Sequence, residues 1–67
     1  MNPLEVLTAR DVMEPADGAA HPETSAETPV RELMDGLRGP EAGFAVMEEG
    51  RQIGTVTAHS IVDRLKR

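Results

Sequence analysis

Apolar residues recur along this chain with two periods, and the changes between them divide it into elements. Val30, Leu33, Met34 and Leu37 fall at i, i+3, i+4 and i+7, and Ala58, Ile61, Val62 and Leu65 repeat that spacing. Each set makes one stripe on a helix. For the first helix, Thr28 suits the N-cap and Pro29 the first helical position. Arg38 sits in its last turn, and Gly39-Pro40 stops it. Gly36 inside it costs up to about 1 kcal/mol relative to Ala, which fits either close packing or early fraying. Thr57 can cap the second helix, where Asp63 and Arg67 stand i,i+4 on the surface.

Between the helices, "GFAVME" (43–48) and "RQIGTVT" (51–57) are β-prone runs joined through Glu49-Gly50, a hairpin signal. Both are nearly continuous in apolar character, so both faces of the hairpin should be covered. The helices can cover one face; the other must meet something else. Towards the start, "LTARDVM" (7–13) reads as a short capped turn, with Thr8 and Asp11 at capping-box spacing. Leu4, Leu7, Val12 and Met13 are its apolar anchors. Residues Glu14 to Ala26 show no period and read as a loop longer than most connections, with a short edge strand around Thr24 and Ser25. The order is turn, strand, helix, strand, strand, helix: an α/β arrangement without internal repeat.

Composition narrows the picture. A 67-residue chain is one small domain and buries only about 60% of its unfolded surface. Phe44 is the sole aromatic, so the core is thin and a partner surface is expected, either a larger protein or a second copy. The absence of cysteine excludes disulfides and Cys-type zinc sites and fits a reducing cytoplasm. No apolar run approaches the roughly 18 residues of a membrane span, and no signal-peptide pattern opens the chain. Twelve acidic against seven basic residues give a formal charge of -5, which argues against a nucleic-acid partner. Arg64, Lys66 and Arg67 nevertheless gather at the end of the chain.

Asp11-Val12-Met13, the helix opening Thr28-Pro29-Val30, the apolar strand, the acidic-Gly hairpin and Gly54-Thr55-Val56-Thr57 running into a helix together resemble a CBS domain. The resemblance spans Thr8 to Arg67. It implies a three-stranded sheet with two helices on one face, units that pair sheet against sheet, and clefts that often take adenine nucleotides. The opening "MNPLEVLTARDVM" resembles the junction after the nucleotide-binding subunit of a glycine betaine/proline ABC importer. That implies residues 1–7 as a linker from a preceding ATPase domain and 8–67 as a regulatory CBS domain. Its partners would be the ATPase domain and permease, on the cytoplasmic side of the cell membrane. The chain has no G-x-x-x-x-G-K-[ST] phosphate loop of its own. CBS units also occur in kinases, channels and enzymes of nucleotide metabolism, and only the N-terminal junction selects the importer.

The resemblance also supplies candidate sites. Gly54, Val56, Thr57, Ser60, Phe44 and Ala45 are candidates for an adenine nucleotide (AMP, ATP or cyclic di-adenylate), with no cofactor required. The sequence departs from the family's ribose pattern: Ser60 stands where Asp is usual, and Thr55 replaces an apolar residue. A carboxylate accepts from both ribose hydroxyls, whereas a serine offers one uncharged oxygen. The helix start at Ala58 to Ser60 still presents N–H groups to an anion. Against this, Thr57 and Ser60 are also simply good helix-start residues. Phe44, Val46, Met47, Ile53 and Thr55 form the candidate pairing surface, since exposed apolar patches mark interaction sites. Arg64, Lys66 and Arg67 complement the negative end of their helix. The sharper alternative is contact with anionic lipid, about 1 kcal/mol per basic residue at low salt, making the tail an ionic-strength sensor. His21 and His59 lack further ligands at metal spacing, and neither Ser25 nor Ser60 has an evident His–acid arrangement. The chain reads as a non-enzyme, either a ligand- or salt-responsive regulatory module or a plain dimerisation module.

Overall fold

The computed structural model describes residues 3–66. Two short helices open it, α1 (Pro3–Val6) and α2 (Ala9–Val12). The Asp11 carboxylate accepts the Thr8 main-chain N–H at 2.9 Å, the reciprocal half of a capping box, so the spacing does start α2. Strand β1 (Glu23–Ser25) lies parallel to β2 (Gly43–Glu48), and β2 is antiparallel to β3 (Arg51–Thr57), in the order β1-β2-β3. Parallel neighbours need a crossover. It is supplied by α3 (Val30–Leu33), which continues as a 3-10 helix over Met34–Leu37. The β2–β3 turn places Glu49 at φ 52° and Gly50 at φ 80°, the doubly left-handed geometry of a two-residue hairpin turn and the reason glycine stands there. A register shift after Val46 leaves Ile53 without a cross-strand partner, a bulge that kinks β3. The chain ends in α4 (Ala58–Leu65).

The fold is therefore a small α/β unit with a three-stranded mixed sheet. Its core lies between the helices and one sheet face. Ala9, Val12, Val30, Leu33 and Ile61 pack there with Val46 and Val56, both fully buried.

Three expectations need correction. Thr28 does not cap the helix: its hydroxyl accepts from Thr24 Oγ1 at 2.9 Å, and Pro29, still extended at ψ 139°, holds the N-cap position. The two stripes do not pack as wholes. Ser60 and Ile61 are the buried residues of α4, while Val62 is 50% and Leu65 45% exposed, and Met34 on the crossover is 42% exposed. The Thr57–Ser60 cap turns Ser60 inward, which rotates the stripe's centre away from the sheet. It then borders a groove of about 190 Å³ between the 3-10 helix and α4, lined by Met34, Leu37, Ala58, Ile61, Val62 and Leu65. Leu4 as an anchor and the Asp63–Arg67 pair fall outside the described side chains.

The third correction concerns the sheet's other face, expected to be bare of its own chain. Gly43, Ala45, Thr55 and Thr57 share it, paired Gly43 with Thr57 and Ala45 with Thr55. Residues 14–22 cross this face as a strap. Glu14 exchanges both main-chain hydrogen bonds with Thr55 at 2.9 Å, Asp17 N–H donates to Thr55 Oγ1 at 3.3 Å, and the His21 ring lies directly over Gly43. Thr55 is left 2% and Ala45 6% exposed.

Candidate functional site

The junction between β3 and α4 is built by reciprocal capping. Thr57 N–H donates to Ser60 Oγ at 2.9 Å, Ser60 Oγ–H donates to the Thr57 carbonyl at 2.9 Å, and Ser60 N–H donates to Thr57 Oγ1 at 3.1 Å. The Ser60 hydroxyl has one proton, and the cap uses it. Ser60 is also 2% exposed. Among the residues named for a nucleotide, Ser60 is thus the one whose hydroxyl already serves the helix cap. Ser60→Ala is expected to lower stability by about 1 kcal/mol, read as a melting midpoint lower by roughly 4–8 °C.

Of the other nucleotide candidates, Val56 is fully buried in the core and Ala45 and Gly54 are buried as well. Met13 and the Glu14 carbonyl close over Gly54. Phe44 is half-buried beneath Gly36. Thr57 borders an open cleft of about 460 Å³, whose other walls are Asp17, Ala19, Ala20 and His21 from the strap and Pro40, Glu41 and Ala42 from the turn before β2; Ser60 borders a separate small pocket of about 50 Å³ beside Asp11, Glu14 and Arg64.

The electrostatics of this cleft are acidic. Asp17 Oδ1 accepts the Ala19 N–H at 2.9 Å, and Oδ2 lies 3.0 Å from His21 Nε2, whose side chain is only 8% exposed. An ionised carboxylate only accepts, so the imidazole donates through Nε2. The His21 hydrogen bond first, then the Ala19 N–H, holds the Asp17 carboxyl below its ordinary value of 3.8. A depressed carboxyl value means the charged form is the one that folding favours. The contribution of Asp17 is thus in place at neutral pH and is lost as pH falls through its depressed value. A carbon-detected NMR titration of the Asp17 carboxyl should find its midpoint below 3.8; a midpoint at or above it would mean the His21 contact does not form in solution. No lysine or arginine lines the cleft, so phosphate finds carboxylates there instead of cations.

The pairing candidates divide between the two sheet faces. Val46 points into the core and is fully buried, and Thr55 lies beneath the strap; neither has surface to offer a partner. Phe44 and Ile53 pack at the edge of the core, partly buried, and Met47 is likewise half-covered. Of the basic tail, Arg64 is exposed on the last turn of α4 and Lys66 is exposed at its C-cap, and Arg67 lies outside the described residues. Arg64 borders a small pocket with Asp11, Glu14 and Asp63, so its surroundings are partly acidic.

Sequence reasoning missed two features. One is the Asp17–His21 knot; its i,i+4 spacing is visible in the sequence, but in a segment without helical pattern that spacing carries no signal. The other is Arg10, which holds Glu27 at 3.0 Å and also contacts Glu48, tying α2 to the turn after β1 and to the end of β2. Among the described residues, no group of three His, Cys, Asp or Glu side chains is arranged to hold a metal ion, and no helix is long and apolar enough to cross a membrane. Compared with protein-family models, curated proteins and solved structures, the chain has no match.

Proposed function

We propose that this chain is a CBS-type regulatory module of the kind appended to the ATPase of a glycine betaine/proline ABC importer. It acts by pairing with a second copy and has no catalytic role. The observation that carries this reading is the element order: a short strand parallel to the first arm of a hairpin, joined to it by a helical crossover, with the "GTVT" arm turning directly into a capped helix. The N-terminal sequence up to Met13 supplies the importer, and with it the ATPase and permease as partners at the inner face of the membrane. In such an assembly, pairing of the modules biases the approach of the two ATPase subunits only where one arrangement is favoured over another.

A specific observation favours pairing and ionic response over nucleotide sensing. The Ser60 hydroxyl is committed to the cap, and the cleft beside Thr57 carries Asp17 and Glu41. With a net charge of -5, two copies repel at low salt. Screening shortens from about 10 Å at 0.1 M to about 3 Å at 1 M ionic strength, so pairing tightens as salt rises. The exposed Arg64 and Lys66 add a contact to anionic lipid that weakens with the same salt.

Sedimentation equilibrium across 0.05 to 1 M salt, beside thermal melts with excess AMP, ATP or cyclic di-adenylate, tests this. The expected result is a dimer fraction that rises with salt and melts that no nucleotide moves. A ligand at 100 times its dissociation constant stabilises by about 2.7 kcal/mol, so a midpoint raised by roughly 10 °C or more with one nucleotide would replace the ionic reading by the nucleotide-sensing one. A chain that stays monomeric at every salt concentration would end the pairing reading.

A further inference from the structure

The cleft beside Thr57 is walled by acceptors and holds no cation of its own. Asp17 comes to it from the strap and Glu41 from the turn before β2. Each Asp17 oxygen takes one hydrogen bond, Oδ1 from the Ala19 N–H and Oδ2 from the His21 ring, and each keeps capacity for a second. Glu41 is exposed and makes no ion pair among the described residues.

Two surface carboxylates are ordinarily just solvated; His21 sets this cleft apart. Its side chain is only 8% exposed and its ring lies over Gly43, yet it forms part of the cleft wall. Because Nε2 donates to Asp17, Nδ1 of the neutral ring carries the free lone pair. Among the described residues Nδ1 has no hydrogen-bond partner. No buried side-chain nitrogen or oxygen there is left without one, so Nδ1 is not sealed inside the protein. It opens to the solvent against His21, which is that of the cleft. A largely covered acceptor of this kind is best satisfied by a ligand N–H.

We infer that the cleft binds a small organic cation, an ammonium or guanidinium group carried on an alkyl stem. The inference stands apart from the pairing reading, and its ligand is opposite in charge to a nucleotide. Asp17 and Glu41 supply the countercharge, and His21 Nδ1 accepts one N–H of the head group in a charge-assisted hydrogen bond. Ala19, Ala20, Pro40 and Ala42 give the stem an apolar wall. A volume of about 460 Å³ lies within the range of small-molecule sites. A bare metal ion does not fit, since no three His, Cys, Asp or Glu side chains among the described residues are arranged to hold one.

The test is an NMR titration of the nitrogen-labelled chain with 1,4-diaminobutane, following the amides of Ala19, Ala20, Ala42 and Gly43. Tetramethylammonium chloride at equal ionic strength carries the charge without an N–H donor. Acetyl-lysine amide presents the same head group as a partner protein's side chain would. The expected result is saturable shifts that share one dissociation constant, for the diamine, the lysine amide or both; the tighter of the two names the source. Asp17→Asn and Glu41→Gln should each weaken binding by about fivefold, the worth of one exposed charge pair. Asp35→Asn, which removes the same charge from an exposed pair with Arg38, should leave binding unaltered. Circular dichroism checks each fold, and Glu41→Gln decides if Asp17→Asn perturbs it, because Glu41 is exposed. Equal binding of tetramethylammonium, or equal weakening by Asp35→Asn, would overturn the site and leave only the general attraction of an acidic protein. Shifts that never saturate with either amine would overturn it too.

Discussion

Replacing Gly54 by alanine should destabilise the fold by about 3 kcal/mol and lower its melting midpoint by roughly 10–20 °C. A Cβ at this position would stand 2.7 Å from Met13 Sδ and 2.8 Å from the Glu14 carbonyl oxygen. Met13 is flexible and can swing aside. The Glu14 carbonyl cannot, because it accepts the Thr55 N–H at 2.9 Å while Glu14 N–H donates to the Thr55 carbonyl at 2.9 Å. Relief of the clash therefore means breaking the pair that seals the outer edge of β3 and anchors the strap. A double-mutant cycle with Met13→Ala separates the two contributions. Removing the sulfur is expected to recover only part of the loss, the remainder belonging to the backbone clash. Full recovery would show that the edge yields easily, and an unchanged midpoint in the single variant would show that β3 is not sealed there at all.

Gly36→Ala has the second largest expected effect, and its sign is the informative part. On an exposed helix the change gains up to about 1 kcal/mol. Here the added methyl would meet Phe44 Cζ at 2.5 Å and Cε2 at 2.9 Å, and overpacking of that kind outweighs the gain, leaving a net loss of about 1–2 kcal/mol. The Phe44 ring is half-buried against the core, so it can yield to the methyl only in part. Denaturant midpoints of Gly36→Ala in the wild-type and Phe44→Leu backgrounds check this. The variant should lose stability in the first and gain it in the second. A gain in both would mean that the Phe44 ring gives way to the methyl and Gly36 is not packed against it.

Gly36 also marks a limit of sequence reading. Close packing and fraying leave the same letter in the chain, and only the ring beneath it, eight residues away on β2, separates them. The 3-10 tightening of Met34–Leu37 occurs at the same place, where the crossover comes down onto Phe44.

Features that depend on residues within about one turn of each other were legible from the sequence. The Thr57 cap of α4, the Thr8–Asp11 capping pair, the Glu49-Gly50 turn and the existence of three strands and two main helical segments all follow from spacings of two to four residues. Local sterics and local hydrogen bonds suffice to produce them. The same spacings left the rotation of α4 open, because Ala58, Ile61, Val62 and Leu65 make one stripe whichever side of it meets the sheet. The buried Ser60 cap decided that, sending Val62 and Leu65 outward.

The candidate site was the part least visible in the chain. Gly54, Val56 and Ser60 have side chains or surfaces of the right type for a ligand, but exposure is a property of the packed whole, and packing buries all three. The strap was legible only as a loop. Its course depends on contacts such as Asp17 to Thr55, 38 residues apart, and no local pattern encodes a partner at that distance. By itself, then, the sequence determined the main elements, their order and the Thr8 and Thr57 caps, through interactions that close within a few residues, whereas Thr28 was drawn away from capping by Thr24. Which sheet face is covered, by what, and which polar side chains remain open to a partner were decided only when distant segments packed together.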